Sequence, residues 1–380
     1  MSIVKFSDVA HRANTKEDRF NTDKIYYVGG EHIDSNELFV RSKGIIKGST
    51  IGPMFYCGFT SGQILFVTRN PHLRKCGIVD FDGICSEKTF VIESKDTTKL
   101  SQEYLAIIMQ SDEFWNYCEE NKSGGVNYFL NWSTLADYEF ELPPIQIQEE
   151  IAEKVMSAYR LKQSYQKLLT ATDEMIKSQF IEMFWGGKYT MKKLRGHIEV
   201  LRGVSYKLSD VHEDLSDNTS IVLRSNNIDG GQVNFDDLVY VDSERVSEHQ
   251  VLNAGDIVMC GSNGSKKLVG KAALLNETPR ENTSFGAFCL GIRCKSSIIP
   301  EYLATYFQTS LYRDKIEELG SGSNILNIKP DHIYDLEIPI PSLGEQETFV
   351  LIVKQADKSK FELRKSIEAI DAVIKNLING

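Results

Sequence analysis

An internal repeat constrains the fold of this chain more than any other feature of its sequence. Residues 103–149 align with residues 301–347 at a constant offset of 198 residues without a gap, and 14 of the 47 positions are identical. Further upstream, "SGQILFVTRN" aligns with "AGDIVMCGSN", and "YVGGEHID" aligns with "VLRSNNID". Self-similarity over so long a stretch indicates that the chain contains two copies of one structural unit.

Each copy has two parts of different character. Residues 1–144 and 186–341 mix short β-rich runs, such as "QILFV" and "FCLGIRC", with helical segments such as "EYLAIIMQ", which predicts a compact α/β domain. Residues 145–185 and 342–380 keep apolar side chains at spacings of four and three for about four heptads, which is typical of a coiled coil. The predicted fold is therefore α/β, with two repeated α/β domains separated by two long helices that pair as an antiparallel coiled coil.

Both predicted helices carry a lysine at the same heptad position of the apolar seam, Lys162 in the first and Lys360 in the second. A polar residue at such a position can fix the register and the partner of a helix. Alternatively, its long side chain can extend along the helix to water. The sequence leaves both alternatives open. It also predicts that Glu149 and Glu347 lie in the first helical turn, where the helix dipole favours acidic side chains.

Composition excludes several classes of protein. The chain has 380 residues, of which 41% are apolar and 25% charged, and this predicts a soluble protein of two or three domains. No apolar run approaches the ~20 residues of a membrane helix, and the N-terminus has no signal-peptide core, so a cytoplasmic location without a membrane partner is expected. The seven cysteines form no C-x-x-C pair and the seven histidines no H-E-x-x-H motif. No disulfide framework, metal site or cofactor is therefore predicted.

The segment "GSNGSKKLVGK", residues 261–271, looks like part of a nucleotide-binding loop. A phosphate loop of the form G-x-x-x-x-G-K-[ST] wraps phosphates with backbone N–H groups and binds magnesium through its hydroxyl. Here five residues separate Gly264 from Gly270, and Ala272 follows Lys271. Both the spacing and the hydroxyl are missing, so the segment needs another explanation.

The aligned segment of the first copy, "TRNPHLRKCG", shares the basic charge of this loop but not its glycine spacing. A polar, basic loop that follows a strand twice in one chain predicts contact with the phosphates of DNA, which needs only a local cluster of cations. Asn70 and Asn263 occupy aligned positions, and asparagine suits the major-groove edge of adenine. The candidate DNA contacts in these loops are Arg69, Asn70, Arg74, Lys75, Ser262, Asn263, Lys266, Lys267 and Lys271.

A second polar set follows the predicted strand "IVL" of the second copy. Its members either contact DNA or cap the end of the strand, and they are Arg224, Ser225, Asn226 and Asn227. The net charge of the chain is −10, and neither domain is basic: residues 1–144 carry 20 acidic and 15 basic side chains, and residues 186–344 carry 21 and 17. Binding of DNA must therefore come from local clusters and not from the net charge.

This layout resembles the specificity (S) subunit of type I restriction-modification systems, and the resemblance covers nearly the whole chain. It is carried by a Ser-Gly loop, an extended segment and a proline-capped helix, in "SGGVNYFLNWSTLADYEFELPPIQIQEE" at 123–150 and "SGSNILNIKPDHIYDLEIPIPSLGEQE" at 321–347. The segments "IVLRSNNID" and "NAGDIVMCGSNG" are also typical of the family. In the first copy "GGEH" replaces "RSNN" and "FLNW" replaces "ILNI", as expected if the two copies read different half-sites.

The resemblance implies that each α/β domain is a target recognition domain that reads one half of a split double-stranded DNA target. It implies that the paired helices separate these domains and hold DNA adenine methyltransferase subunits, two to a complex, which restriction translocase-nuclease subunits can join. The S subunit of such systems performs no chemistry, so this protein is expected to be non-catalytic. A fixed length of paired helix would place the half-sites about one helical turn apart.

Two other classes of protein are alternatives. An enzyme has little support, because the Pro-Pro of "ELPPIQ" lacks the flanks of an amino-methyltransferase motif. A two-carboxylate nuclease has equally little support. Such sites separate the acidic residue and the lysine by one residue, whereas Glu87 and Lys88 are adjacent in "VDFDGICSEK". A coiled-coil protein-interaction adaptor without DNA specificity is the stronger alternative, and the acidic balance of both domains is its best support.

Overall fold

The computed structural model describes residues 2–319 and 327–380. The second Ser-Gly loop, with Ser321, Gly322 and Ser323, lies outside the described residues. The chain divides into two compact units, one formed by Met1–Gln166 with Lys365–Gly380 and the other by Lys167–Arg364. Each unit therefore combines one α/β domain with parts of both long helices.

The first unit contains ten strands and four short helices before the central helix, α5. The strands are β1 (Ser2–Lys5), β2 (Ala10–Ala13), β3 (Tyr26–Val28), β4 (Gly44–Ile45), β5 (Phe55–Phe59), β6 (Ile64–Val67), β7 (Cys76–Ile78), β8 (Gly83–Ser86), β9 (Thr89–Ser94) and β10 (Glu139–Leu142). The helices are α1 (Phe6–Val9), α2 (Gln102–Ile108), α3 (Asp112–Glu120), α4 (Trp132–Ala136) and α5 (Ile145–Phe184).

Two four-stranded sheets form the core of the first domain, in the orders β2-β9-β6-β7 and β4-β3-β8-β5. All four residues of β6, "ILFV", are buried, because this strand is paired on both sides and covered on both faces. Phe66 of β6 stacks on Trp115 of α3 with their ring centroids 5.5 Å apart. An apolar run of this kind is typical of a strand in the middle of a core.

The second unit repeats this organisation with additional strands. Its strands are β11 (Met191–Lys193), β12 (Ile198–Arg202), β13 (Val211–His212), β14 (Thr219–Leu223), β15 (Ile228–Asp229), β16 (Gln232–Val233), β17 (Val239–Asp242), β18 (Ile257–Cys260), β19 (Ala272–Leu274), β20 (Ser284–Phe285), β21 (Cys289–Cys294) and β22 (Glu337–Pro339). Its helices are α6 (Pro300–Tyr306), α7 (Ser310–Leu319), α8 (Pro330–Tyr334) and α9 (Leu343–Asn379), of which α9 continues into the first unit.

The strand pairing of the two domains confirms the repeat. The order β2-β9-β6-β7 corresponds to β12-β21-β18-β19, which is part of a six-stranded sheet in the second domain. The parallel pair of β3 with β8 likewise corresponds to the parallel pair of β14 with β20. Gly62 and Gly255 precede β6 and β18 with φ angles of 90° and 93°, which glycine adopts without a steric cost. The mixed α/β fold predicted from the sequence is therefore correct.

The long helices α5 and α9 run antiparallel where they pack within the second unit. Phe180 and Phe184 lie 5.5 and 5.6 Å from Phe349 near the start of α9, whereas Asp173, two turns earlier in α5, meets Lys360 further along α9. Every position of the predicted seam is buried or half-buried, as the heptad pattern requires. These positions are Ile151, Val155, Ala158, Lys162, Tyr165, Leu169, Thr172 and Ile176 in α5, and Phe349, Val353, Ala356, Lys360, Leu363, Ile367, Ile370, Ile374 and Leu377 in α9. Within the described residues, neither these helices nor any other is long and apolar enough to span a bilayer.

The two seam lysines are buried and paired with carboxylates. Lys162 and Lys360 are only 9% and 8% exposed. The Lys162 ammonium lies 2.8 Å from carboxylate oxygens of Glu37 and Asp371, and that of Lys360 lies 2.8 Å from those of Asp173 and Asp357. Burial by itself would lower the pKa of both lysines, but the carboxylates raise it above the ordinary value. This pairing favours a role in fixing helix register over simple extension to water.

The acidic residues predicted for the first turn of each long helix lie in its second turn. Helix α5 starts at Ile145 and α9 at Leu343, so Glu149 and Glu347 lie one turn further along than predicted. The placement of these two acids was wrong because α5 begins directly after Pro144 and α9 two residues after Pro341, close to prolines that fit a helix start. In α9 the first turn instead contains Glu345, whose carboxylate accepts hydrogen bonds from the N–H and hydroxyl of Ser342 at 3.1 and 2.8 Å.

Candidate nucleic-acid interface

The loop of residues 261–271 connects β18 to β19 in the second unit. The N–H of Cys260 donates to the carbonyl of Lys271, and the N–H of Gly270 donates to that of Cys260, each at 2.8 Å. Gly270 has a φ of +86°, and a Cβ there would approach Ile316 to 3.0 Å. The two ends of the loop are thus closed tightly, and the intervening polar residues extend from the end of a buried strand.

Asn263 connects this loop to the second polar set. Its amide nitrogen donates to the hydroxyl of Ser225 at 3.1 Å, and its amide oxygen accepts from the N–H of Ser265 at 2.9 Å. Ser262, beside it, is half-buried and pairs in a β-bridge with Asn327. Residues that were separate candidates in the sequence therefore form one surface.

The lysines of the loop are on its outer side. Lys266 and Lys267 are exposed. Lys271 is also exposed, and its ammonium lies 4.0 Å from a carboxylate oxygen of Asp229. Lysines at the surface can bind a DNA phosphate without any change in the packing of the core.

The set Arg224–Asn227 follows β14 and has two kinds of member. Asn227 is completely buried: its amide oxygen accepts from the N–H of Arg224 at 2.8 Å and its amide nitrogen donates to the carbonyl of Asp237. This side chain caps the strand end, which was one of the alternatives for the set. Arg224 and Asn226 are closer to the surface, and both donate to the Asp237 carboxylate, at 2.8 and 2.7 Å.

In the first unit the aligned loop lies between β6 and β7. Asn70 and Arg74 adopt left-handed backbone conformations with φ angles of 52° and 49° at the two ends of a short 3-10 helix, Pro71–Leu73. Asn70 is exposed, and its backbone N–H donates to the backbone carbonyl of Tyr128 at 3.0 Å. Arg69 is half-buried, with its guanidinium 5.1 Å from the centre of the Phe129 ring.

Two of the predicted cations in this loop have partners inside the domain. Arg74 pairs with the Asp112 carboxylate at 2.5 Å, and the Lys75 ammonium donates to the carbonyl of Gly30 at 2.6 Å. The structure therefore brings all four loop residues together, and of these Asn70 is exposed whereas the three cations are half-buried. Lys75 also connects the loop to Gly29–His32, the counterpart of Arg224–Asn227.

A hairpin at residues 123–129, which contains the first Ser-Gly loop, flanks the basic loop of the first unit. Gly124 has a φ of +101°, and a Cβ there would lie 2.6 Å from the carbonyl of Asn127, so a tight turn is present. The hairpin also carries Tyr128, whose ring centre is 4.4 Å from the Lys122 ammonium. Aromatic and basic side chains that alternate next to a basic loop are typical of nucleic-acid-binding surfaces. This pattern could have identified the hairpin as a candidate DNA contact from the sequence.

The carboxylates considered for a nuclease do not form one site. Asp82 pairs with Lys24 at 3.2 Å, and Glu87 accepts from Tyr56 at 2.8 Å and pairs with Lys88. Across residues 2–319 and 327–380, the His, Cys, Asp and Glu side chains form no group of three or more suited to a metal ion.

The chain therefore contains two α/β domains of similar topology, each with a polar loop at the end of the equivalent strand. This arrangement is that of a binding protein with a duplicated domain. A family model described as "Type I restriction modification DNA specificity domain" matches residues 3–170 and again residues 190–371. The chain belongs to this family and contains its domain twice.

Curated relatives and solved structures agree with this assignment. The type I restriction enzyme StySPI specificity subunit of Salmonella potsdam is 41% identical over 170 residues, which are 44% of this chain and 36% of that protein. The EcoKI specificity subunit of Escherichia coli strain K12 is 37% identical over 189 residues, 48% of this chain and 40% of that protein. The chain thus matches less than half the length of either relative.

Two solved structures show the same fold. One, from work on complex assembly and conformational transition of the type I R-M system, has a TM-score of 0.60 at 16% identity, covering 99% of this chain and 96% of the other. The type I restriction-modification S subunit from M. genitalium has a TM-score of 0.53 at 13% identity, covering 99% and 94%. This likeness extends over both domains and both long helices.

Proposed function

We propose that this protein is the DNA-specificity subunit of a type I restriction-modification system. Each α/β domain, residues 1–144 and 186–341, is a target recognition domain for one half of a split double-stranded target. The observation that carries the proposal is the pair of polar, basic loops at equivalent strand ends, in a chain whose family is named for DNA specificity. The net charge of −10 is no obstacle, because phosphate binding needs only local cations.

The candidate residues divide into contacting and supporting groups. Lys266, Lys267 and Lys271 are the phosphate contacts of the second domain, because they are exposed. Base contacts come from Asn70 and Asn263, with Arg69, Ser262, Arg224 and Asn226 beside them. Arg74, Lys75, Ser225 and Asn227 position these loops through the contacts that they make inside the domains.

The protein is proposed to be non-catalytic and to act in the cytoplasm, with methylation and restriction carried out by partner subunits. DNA adenine methyltransferase subunits, two to a complex, would dock on the long helices, and restriction translocase-nuclease subunits would join them. Each unit exposes large apolar side chains on these helices. Ile147 and Leu161 are 45% and 44% exposed in the first unit, and Leu351 and Phe361 are 69% and 53% exposed in the second. Such side chains suit packing against a partner.

The salt dependence of DNA binding tests the proposal. The full chain, with and without a methyltransferase subunit, is titrated with random duplex DNA at several salt concentrations. Replacing both Lys266 and Lys267 with Ala should weaken binding to all sequences and lower the slope of log affinity against log salt by up to about two.

A matched control removes the same charge elsewhere in the second unit. Lys192 and Lys295, exposed residues of β11 and of the segment directly after β21, are replaced together with Ala and should leave the slope unchanged. Wild-type protein that shows no salt-sensitive binding, alone or with the methyltransferase subunit, would refute the proposal. The protein-interaction adaptor would then be the better description.

A further inference from the structure

Phe288 is an exposed aromatic residue that the candidate interface has not yet included. It lies in a tight turn before β21, closed by a 2.8 Å hydrogen bond from the N–H of Cys289 to the carbonyl of Gly286. Its side chain is 73% exposed. Turns select Gly, Pro, Asn, Asp and Ser for conformational reasons, so the turn itself does not require a phenylalanine.

The backbone holds Phe288 directly against the basic loop. The N–H groups of Gly261 and Ser262 donate to the Phe288 carbonyl at 2.9 and 3.0 Å. A Cβ at Gly261 would lie 3.3 Å from that carbonyl oxygen, so the two backbones are in close contact. On the other side, the N–H of Ala287 donates to the carbonyl of Val204 at 2.9 Å. The backbone of Phe288 is therefore held beside Gly261 and Ser262, and its ring is exposed next to the basic loop.

The same backbone position in the first domain is occupied by Lys88. The N–H and the hydroxyl of Thr68 donate to the Lys88 carbonyl at 2.9 and 2.8 Å. Thr68 follows β6 as Gly261 follows β18, and the pairing of Val67 with Thr89 corresponds to that of Cys260 with Cys289. The Lys88 side chain is 41% exposed and pairs with Glu87 at 2.8 Å. One site in the repeat thus carries an apolar ring in one copy and a cation in the other.

We propose that this position is a specificity-determining contact whose chemistry differs between the two domains. Phe288 contacts the methyl group of a thymine in one half-site, and Lys88 contacts a backbone phosphate in the other. The thymine methyl is the apolar group of the major-groove edge, and phenylalanine is among the side chains that contact it. A phenyl ring is uncharged and releases no counterion from DNA when it binds. A lysine that neutralises one phosphate does release a counterion, so only the lysine contact makes binding depend on salt. This inference rests on the proposed function.

Selection from a random duplex library tests the proposal with the full chain. Wild-type protein should select a split motif in which one half-site contains a thymine that Phe288 contacts. Phe288→Ala should lose that preference, with about a tenfold weaker binding of the recovered site and an unchanged salt slope. Uracil in place of that thymine should weaken wild-type binding to a similar extent and leave the Phe288→Ala variant unaffected. Phe288→Leu, which keeps an apolar side chain, should retain part of the preference.

Lys88→Ala should behave in the opposite way. The recovered motif should be unchanged, and the salt slope should fall by about one. Leu215→Ala is the control for loss of an exposed apolar side chain, since Leu215 is 45% exposed and precedes β14, at the end of that strand away from Arg224. Thermal melting of each variant checks that the fold is retained.

The outcomes separate this inference from the proposed function. Absence of salt-sensitive DNA binding by wild-type protein, both alone and with the methyltransferase subunit, would refute the proposed function, and this inference with it. Wild-type binding with an unchanged motif and affinity in Phe288→Ala would overturn the inference alone. Equal weakening of all sequences by Phe288→Ala would also overturn it, because a contact with every sequence is a wedge or a backbone contact and not a base-specific one.

Discussion

At the residue scale, the two domains repeat a cap with different side chains. His32 accepts a hydrogen bond from the N–H of Gly29 at 2.9 Å, and Asn227 accepts one from the N–H of Arg224 at 2.8 Å. Each bond closes a short 3-10 helix at the end of a strand. The two domains make the same hydrogen bond although both residues that form it differ between them. The role of this position is therefore to fix the backbone conformation. The neighbouring side chains can then differ without loss of the loop conformation.

The most reactive cysteine should be Cys57, which lies opposite Cys85 on the antiparallel strands β5 and β8. A hydrogen bond from the Cys85 thiol, with the nearby Arg12 guanidinium, lowers the pKa of Cys57 to about 7 against the opposing effect of burial. The thiolate is the reactive form, so alkylation of Cys57 by iodoacetamide should rise with pH and reach half its maximum near pH 7. Peptide mass spectrometry after brief labelling from pH 6 to pH 9 measures this.

Cys294 is the internal control for this labelling. It is also half-buried, but burial raises the pKa of its thiol to about 12, so it should stay unlabelled over the same range. Arg12→Gln should move the Cys57 profile to higher pH. Equal labelling of Cys57 and Cys294 at pH 7 would contradict the assignment.

The residues of the loops could be found from the sequence, but their partners could not. The repeat placed Asn70 on Asn263 and Arg69 on Ser262, and the structure puts these residues at equivalent strand ends. That Lys75 reaches the carbonyl of Gly30, 45 residues away in the chain, follows from the tertiary fold and leaves no trace in local composition. Lys88 and Phe288 were missed for a similar reason, because they follow other strands and join the loops only through long-range pairing.

At the element scale, a buried glutamine anchors the first turn of each long helix. Gln148 and Gln346 are both completely buried. Gln148 accepts from the N–H of Ser101 at 3.0 Å and donates to the carbonyls of Lys99 and Pro143 at 2.8 Å. Gln346 makes the corresponding bonds to Ile299, Ser297 and Pro341. The helix starts are thereby tied to the loops before α2 and α6.

Gln148→Ala should destabilise the first unit by about 2–4 kcal/mol, because one N–H and two carbonyls lose their partners in a buried position. Gln346→Ala should have an effect of similar size in the second unit. The measurement is urea denaturation followed by circular dichroism. Glu149→Ala, at the exposed next position, is the control and should change the free energy of unfolding by less than about 0.5 kcal/mol. Equal effects of the two substitutions in α5 would contradict the anchoring role.

The helices themselves were the most predictable elements, because the heptad rhythm is a local property of the sequence. Every seam position named by that rhythm is buried or half-buried. Glu149 and Glu347 were assigned to the first turn, which Gln148 and Gln346 occupy instead, because the pattern alone does not show that these glutamines are needed inside the fold. The acidic partners of Lys162 and Lys360 were also beyond prediction, because Glu37 belongs to the α/β domain and not to a helix.

At the scale of the whole molecule, the repeat predicted two domains of one design, and both the strand pairing and the two family matches confirm it. It did not predict that each compact unit would include parts of both long helices. That division depends on which side chains pack together across nearly the full length of the sequence. Ile374 near the C-terminus, for instance, is buried in the same core as Phe6 near the N-terminus.

Substitutions in the two recognition loops should act independently, since Asn70 and Lys267 belong to different compact units. Their effects on DNA binding should therefore add in free energy, as they do for sites without shared partners. Titrating a duplex recovered by selection, at one salt concentration, compares Asn70→Ala, Lys267→Ala and the double variant. The double variant should match the sum of the single effects to within about 0.5 kcal/mol. A coupling above about 1 kcal/mol would show that the domains do not read their half-sites independently, because a change in one would then alter the contacts of the other.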